Sequence, residues 1–122
     1  MYRMDKSGTT AMTAKMGQAY RLAPAEQIPL GEGRVFYVEG TPVAVFRSRQ
    51  GDVFATQATC PHKRGPLADG IIAGGQIVCP LHAYKFDLAT GKPAGNDCPA
   101  LQTYAAALDD NGDVVVSMSP VS

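Results

Sequence analysis

Cys60-Pro61-His62-Lys63-Arg64-Gly65-Pro66 and Cys79-Pro80-Leu81-His82-Ala83-Tyr84 are the two stretches of this sequence that say most about its fold. Each begins with a Cys-Pro pair and carries a histidine two or three residues after the cysteine. The chain has only two histidines and three cysteines, and both histidines fall in these stretches. The pattern predicts one site built from two loops, each of which contributes one thiol and one imidazole.

The chemistry of that ligand set points to a mixed-ligand [2Fe–2S] cluster. We expect Cys60 and Cys79 to bind one iron, and His62 and His82 to bind the other. With two thiolates the oxidised centre has no net formal charge, whereas four thiolates would make it doubly negative. An electron is added more easily to the neutral centre, which is why histidine ligation raises the reduction potential.

Three other interpretations use the same residues. A zinc site of two cysteines and two histidines has the same donors, but zinc fingers pair cysteine with cysteine and histidine with histidine. Here each pair is mixed. Buried core cysteines beside surface histidines would be a coincidence of spacing. A catalytic Cys–His dyad would leave the second pair without a role.

Length, charge and apolar content narrow the class of protein. A chain of 122 residues forms one small domain. Its 11 basic and 11 acidic side chains give no net charge, which argues against a nucleic-acid partner.

No apolar run approaches the roughly 18 residues of a membrane span, so no membrane association is expected. Residues 1–17 are expected to form a flexible N-terminal tail, and they lack the apolar stretch of a secretory signal. With an odd cysteine count, this predicts a cytoplasmic location.

Short β-type runs closed by turn residues predict an all-β domain over residues 18–120. Asp110-Asn111-Gly112 predicts a hairpin turn, because Asn-Gly tolerates positive φ at both turn positions. Tyr104–Leu108 is alanine-rich, so a helical turn is the alternative to a strand there. The predicted strands cover residues 34–38, 43–46, 53–56, 101–108 and 114–116. The glycine- and proline-rich segment 59–93 is predicted to be an inserted subdomain that carries the site.

The residues from Cys60 to Gly70 and from Cys79 to Gly91 resemble those of the Rieske iron–sulfur family, and the resemblance extends over about residues 20–118. It implies antiparallel β-sheets, as a sandwich or partly open barrel, with a small inserted cluster-binding subdomain and one [2Fe–2S] cluster per chain. High-potential members have an extra cysteine in each ligand loop, at the positions of Gly65 and Leu81 here, and a serine at the position of Tyr84. We therefore expect the ferredoxin type, with a potential toward the low end of about −150 to +300 mV.

The segment 95–104, Gly-Asn-Asp-Cys-Pro-Ala-Leu-Gln-Thr-Tyr, is similar to the Rieske-type small subunit of assimilatory NAD(P)H-dependent nitrite reductase. That resemblance implies a large flavin- and sirohaem-containing partner subunit. The alternative is a stand-alone ferredoxin that serves the oxygenase and reductase of a ring-hydroxylating dioxygenase system. A zinc-stabilised binding module is a third, more distant possibility. The chain has no nucleotide-binding motif, so we expect an electron-transfer component with no catalytic residue of its own, unable to reduce nitrite unaided.

Residues around the ligands complete the predicted site. Lys63, Arg64, Lys85 and Lys92 outnumber Asp69 and Asp87, so they are expected to form a basic rim that attracts an acidic partner; the alternative is ordinary solvated charge. Tyr84 is either a core residue or a neighbour of the cluster. Phe86 and Leu88 alternate with charged residues as in a half-buried strand.

Two further segments are assigned structural roles. Residues 91–95 are expected to form a loop over the cluster, which Pro93 would stiffen; a plain surface turn is the alternative. Gly65 permits a tight turn after the first ligand loop. Cys98 is expected to be a small buried apolar residue rather than a ligand, because four ligands are already present.

Overall fold

Six strands form one curled antiparallel sheet in the computed structural model, which describes residues 19–61, 65–80 and 83–121. Their spatial order is β1-β10-β9-β4-β3-β2. Four shorter strands, β5 to β8, form a second antiparallel sheet. The bounds are β1 Ala19–Pro24, β2 Glu32–Val38, β3 Thr41–Arg47, β4 Val53–Gln57, β5 Ile71–Ala73, β6 Gln76–Val78, β7 Lys85–Asp87, β8 Pro93–Ala94, β9 Thr103–Leu108 and β10 Asp113–Val121.

The described residues contain no α-helix, only 3-10 turns at Ala25–Gln27 and Leu67–Asp69. This confirms the predicted all-β fold, including a strand rather than a helical turn at Tyr104–Leu108. The N-terminal tail, residues 1–17, lies outside the described residues. None of the helical segments in the described ranges has the length or apolar character needed to span a membrane. The domain boundaries and the cytoplasmic location stay predictions.

Strand β3 is buried on both faces because four consecutive apolar residues, 43–46, occupy its centre. Alternate side chains of a strand point to opposite faces. Val43 and Val45 therefore pack into one core, inside the curl of the large sheet, while Ala44 and Phe46 pack into a second core. The second core lies between the large sheet and the small sheet, and it contains Cys60 and Cys79.

The two edge strands of the large sheet approach each other through a side-chain contact. The Tyr20 hydroxyl on β1 donates a hydrogen bond to a carboxylate oxygen of Glu39, which follows β2. Since β1 and β2 are the outermost strands, this bond joins opposite edges of the sheet. The sheet is therefore curled into a partly closed barrel, as the resemblance implied.

The hairpin between β9 and β10 forms where the sequence predicted it. Of the two turn residues, Gly112 has a positive φ of +81° and Asn111 does not. The amide of Asp109 donates to the carbonyl of Asp113, and the amide of Gly112 donates to the carbonyl of Asp109. This places three residues in the loop, with glycine at the left-handed position.

The small sheet is inserted between β4 and β9, as predicted. Its register places two rows of side chains on opposite faces. The inner row is buried: Ile72, Ile77 and Phe86 pack into the core that holds the cysteines. Lys85 is exposed, Asp87 is half-buried and Leu88 is buried, which confirms the predicted half-buried strand.

Candidate metal centre

The thiols of Cys60 and Cys79 are buried in the same core, with exposed fractions of 0% and 1%. Neither forms a disulfide. Coordination to a metal ion deprotonates a thiol outright. Two unbridged thiols in one core are therefore available to a shared metal centre.

Each cysteine opens a loop that closes with the same hydrogen bond. The amide of Cys60 donates to the carbonyl of Gly65 over 2.9 Å, and the amide of Cys79 donates to the carbonyl of Tyr84 over 2.7 Å. In both loops the acceptor is five residues after the cysteine. The two loops therefore have equal length and equivalent anchoring, although the histidine comes two residues after the first cysteine and three after the second.

The first loop is fixed to the end of β4. Thr59 and Pro66 form an isolated antiparallel bridge across its base. The amide of Leu67 donates to the carbonyl of Ala58 over 3.0 Å, and the buried Leu67 side chain anchors the following 3-10 turn in the core. These contacts turn the chain back on itself, so Cys60 stays at the base of the loop.

The second loop is the turn of a hairpin. Val78 on β6 pairs with Lys85 on β7, and Cys79 and Tyr84 come next on either side. Ala83 adopts φ +57°, a left-handed conformation that is uncommon outside glycine. The backbone is strained at the residue that directly follows His82, and the pairing of β6 with β7 maintains this strain.

Five of the predicted site residues lie outside the described residues: His62, Lys63, Arg64, Leu81 and His82. Their roles as ligands or neighbours stay predictions. Gly65 is buried and closes the first loop through its carbonyl. Tyr84 is half-buried and packs against the core that holds both cysteines, so it belongs to that core and also closes the second loop.

The segment predicted to be an irregular loop over the cluster contains a strand instead. Pro93 and Ala94 form β8, which pairs with Phe86 and Lys85. The prediction of a loop at these two residues was wrong, because the carbonyl of Lys92 accepts a hydrogen bond from the amide of Asp87 and continues the ladder. Proline is compatible with this position since β8 is an edge strand.

Cys98 lies closer to the site than its sequence suggested. It is half-buried rather than buried, and it packs against the core that contains Cys60. Burial, followed by the proximity of Cys60 and Asp97, raises the pKa of the Cys98 thiol. The protonated form is thus favoured, in keeping with a packing residue. The position is fixed by the Asn96 side chain, which accepts a hydrogen bond from the Cys98 amide.

Two glycines near the site lie against backbone carbonyls, a role that the sequence analysis did not identify. A Cβ on Gly70 would lie 2.2 Å from the carbonyl oxygen of Val78, the residue before Cys79. A Cβ on Gly91 would lie 2.3 Å from the carbonyl oxygen of Leu101. Sequence alone shows such glycines only as turn residues, since the close approach depends on how neighbouring segments pack against one another.

The donor chemistry fits an iron–sulfur centre. Cys60 and Cys79 provide two buried thiols from matching loops, and each loop carries one histidine in its sequence. When bound, a [2Fe–2S] cluster supplies a centre that accepts and donates one electron. Backbone hydrogen bonds at the loop bases hold the two cysteines in place, which would limit the entropy lost when a cluster binds.

Comparison with known proteins agrees with this chemistry. The model of the family described as the Rieske [2Fe-2S] domain matches residues 18–105. The ferredoxin component of a naphthalene 1,2-dioxygenase system from Pseudomonas aeruginosa is 36% identical over 66 residues, which cover 54% of this chain and 62% of that protein. The matches to this relative, to a 4beta-methylsterol monooxygenase and to a ferredoxin from a Ralstonia species cover less than two thirds of the relatives' lengths.

Solved structures extend the likeness to nearly the whole domain. A complex of reduced oxygenase and oxidised ferredoxin in carbazole 1,9a-dioxygenase contains a chain with a TM-score of 0.75 and 28% identity, over 85% of this chain and 96% of that one. A protein from Mycobacterium tuberculosis, described as an NADH-dependent nitrite reductase small subunit, has a TM-score of 0.78 at 21% identity, over 88% and 100% of the two chains. At that identity the second likeness concerns the fold alone.

A family model that matches most of the chain, the paired loops and the two buried thiols all agree. The family model favours a [2Fe–2S] cluster over the zinc site that the sequence left open, and the two buried thiols fit that cluster. The chain belongs to the Rieske [2Fe-2S] domain family, whose members carry that cluster for electron transfer.

Proposed function

We propose that this protein is the electron-carrying component of a multi-component, NAD(P)H-dependent oxidoreductase, with Cys60, His62, Cys79 and His82 as the cluster ligands. The observation that supports this most strongly is the matched closure of the loops that begin at Cys60 and Cys79. Cysteines held by equivalent backbone bonds in one core keep their relative positions when the charge of the site changes. Such rigidity keeps the reorganisation that accompanies electron transfer small.

The first candidate acceptor is the flavin- and sirohaem-containing large subunit of an assimilatory nitrite reductase. This chain would relay electrons from the flavin toward the sirohaem, where nitrite becomes ammonium. The proposal rests on the segment 95–104, which resembles the corresponding segment of the nitrite reductase small subunit. That segment also packs against the site, through Cys98 and Leu101.

The second candidate acceptor is the oxygenase of a ring-hydroxylating dioxygenase system. Sequence identity supports it: the curated relatives include the ferredoxin components of naphthalene dioxygenase systems, at 36% identity over about half of this chain. The solved carbazole dioxygenase complex pairs a ferredoxin of the same fold with its oxygenase. By identity alone this candidate is better supported than the first.

Reconstitution tests both the carrier and its acceptor. The full chain, loaded with iron and sulfide, should contain two irons and two acid-labile sulfides and show a reduced-state electron paramagnetic resonance signal. Colourless protein with zinc and no labile sulfide would overturn the carrier role. The reduced protein is then mixed with the flavin–sirohaem subunit and nitrite, or with an oxygenase, its reductase and an aromatic substrate.

Ammonium formation that depends on this chain supports the first acceptor, and hydroxylated aromatic product supports the second. Each result contradicts the other candidate. A cytoplasmic location is part of both proposals and is tested by fractionating cells that express the chain. The matched control for reconstitution is Cys79→Ser, which should fail to load the cluster while Ala100→Ser, at an exposed position, loads it normally.

A further inference from the structure

The outward-facing side of the small sheet carries a row of four side chains, of which Ile71 and Lys85 are exposed and Val78 and Ala94 are half-buried. The strand register places Ile71, Val78, Lys85 and Ala94 directly opposite one another across β5, β6, β7 and β8. We call these four residues the outer row. Ile71 is 68% exposed, so most of this aliphatic side chain is available for contact with another protein.

The outer row borders the second ligand loop. Val78 and Lys85 form the last pair of β6 and β7 before that loop, which runs from Cys79 to Tyr84. A protein bound on the outer row would therefore lie beside the loop that carries His82. This adjacency is set by the hairpin register, so it does not depend on the conformation of the loop tip.

Positive charge lies on and next to the outer row. Lys85 and Lys92 are exposed, and no ion pair within the described ranges involves either of them. Asp87 lies between them in sequence but is half-buried, and its carboxylate accepts a hydrogen bond from the Ala89 amide. A partner with carboxylates around an apolar contact would match this surface.

The size of the row indicates a weak contact. Four strands spaced by about 4.8 Å span roughly 14 Å, and each contributes one or two residues. Such an area is far below the ~800 Å² that each partner buries in a stable complex, and it matches the small interfaces of electron-transfer encounters. A permanent dimer of this chain would need a larger apolar surface.

We propose that the outer row, with Lys92 beside it, is the docking surface for an acidic electron-transfer partner. The proposal rests on the carrier role, but it does not depend on which acceptor is the true one. In this proposal Ile71 and Val78 make the apolar contact with the partner, and Lys85 and Lys92 attract it electrostatically. A second copy of the chain is the competing occupant.

The test compares four single variants of the cluster-loaded chain in steady-state electron transfer. Ile71→Asp and Lys85→Glu alter the outer row. Leu108→Asp and Arg49→Glu are matched controls, because both residues are exposed. Both lie in or next to the large sheet, at the opposite end of β4 from the first ligand loop. Cluster content, absorption spectrum and potential are measured for each, so that docking is separated from damage to the site.

The acceptors are the flavin–sirohaem subunit and the oxygenase, assayed separately. With whichever accepts electrons, each outer-row variant should raise KM for this chain about tenfold with kcat nearly unchanged, while the controls stay within about twofold. In the Lys85→Glu variant the association rate with the acceptor should also fall less steeply as the salt concentration rises. Equal KM values for all variants would overturn the docking surface and leave the carrier role standing.

The remaining outcomes are equally decisive. Transfer to the oxygenase alone, with the expected KM pattern, supports the docking surface while contradicting the nitrite reductase assignment. Transfer to neither acceptor overturns the docking surface together with the carrier role. A dimer in sedimentation that Ile71→Asp dissociates would make the second copy the occupant, and so would also overturn the proposal.

Discussion

Gly70 lies so close to the carbonyl oxygen of Val78 that a methyl group on its Cα would be 2.2 Å from that oxygen. The neighbour is backbone, not a flexible side chain, so the contact cannot be relieved without moving β6. Because Val78 directly precedes Cys79, this movement would reach the site. The glycine is thus required by a close approach rather than by a turn, since its φ is −80°.

Gly70→Ala should therefore destabilise the fold by about 2–3 kcal/mol, as overpacking against backbone does, and should reduce the iron bound per chain. Gly112→Ala is the control: that glycine has open space around it and φ +81°, so it should cost only about 1 kcal/mol and leave iron content unchanged. Denaturant unfolding and iron analysis measure the two effects. Equal stability and equal iron content for the two variants would contradict the close approach.

Ala83→Gly should stabilise the chain by up to about 1 kcal/mol. Alanine is sterically strained at the left-handed φ of +57° that Ala83 adopts, whereas glycine adopts this conformation without strain. The variant also gains entropy in the unfolded state, which keeps the net effect small. Thermal unfolding of the two forms measures it. Ala89→Gly, at another exposed position with no positive φ, should destabilise instead.

Tyr20→Phe should remove a pH-dependent part of the stability. The hydrogen bond to Glu39, then burial, then the charge of Glu39 raise the pKa of Tyr20 above its ordinary value of 10.0. Because the folded-state pKa is the higher one, this contribution is fully present below about pH 10 and is lost as pH rises through the folded-state pKa.

The difference in melting temperature between wild type and Tyr20→Phe should therefore be largest near neutral pH and shrink above about pH 10. Tyr37→Phe is a suitable control, since Tyr37 is 75% exposed and no side-chain hydrogen bond of it is found in the described chain. A difference that stays constant up to strongly alkaline pH would show that the bond to Glu39 does not join the sheet edges.

Cys98→Ser should leave iron and labile sulfide content intact, because Cys98 is a packing residue near Cys60 rather than a ligand. Its backbone position is kept by the bond from its amide to Asn96. Cys79→Ser, in contrast, should abolish cluster binding. Loss of iron from the Cys98 variant would show that the proposed set of four ligands is incomplete.

His82→Cys should lower the reduction potential in any protein that still binds a cluster. A third thiolate makes the oxidised centre negative, and adding an electron to it is then less favourable; ligation by cysteines alone gives about −400 mV in plant-type ferredoxins. Redox titration followed by electron paramagnetic resonance measures the shift. His62→Cys should change the potential in the same direction, and an unchanged or higher potential in both would refute the charge argument.

Residue identity and spacing were enough to predict the [2Fe–2S] cofactor, because a few cysteine and histidine side chains carry the donor atoms and their spacing can be read from the sequence. The β-runs around Val43–Phe46 and Val53–Gln57 were equally readable, since their apolar pattern reflects burial. The turn at Asn111-Gly112 was located correctly, whereas its three-residue loop became apparent only from the hydrogen bonds between Asp109, Gly112 and Asp113.

Contacts that depend on strand register could not be predicted in this way. The matching closure of the Cys60 and Cys79 loops, the strand at Pro93–Ala94 and the close approach of Gly70 to Val78 all depend on strand register. So does the outer row, whose members come from four strands. Register is decided by the packing of whole sheets against one another. The sequence of one strand does not show which other strand it will pair with.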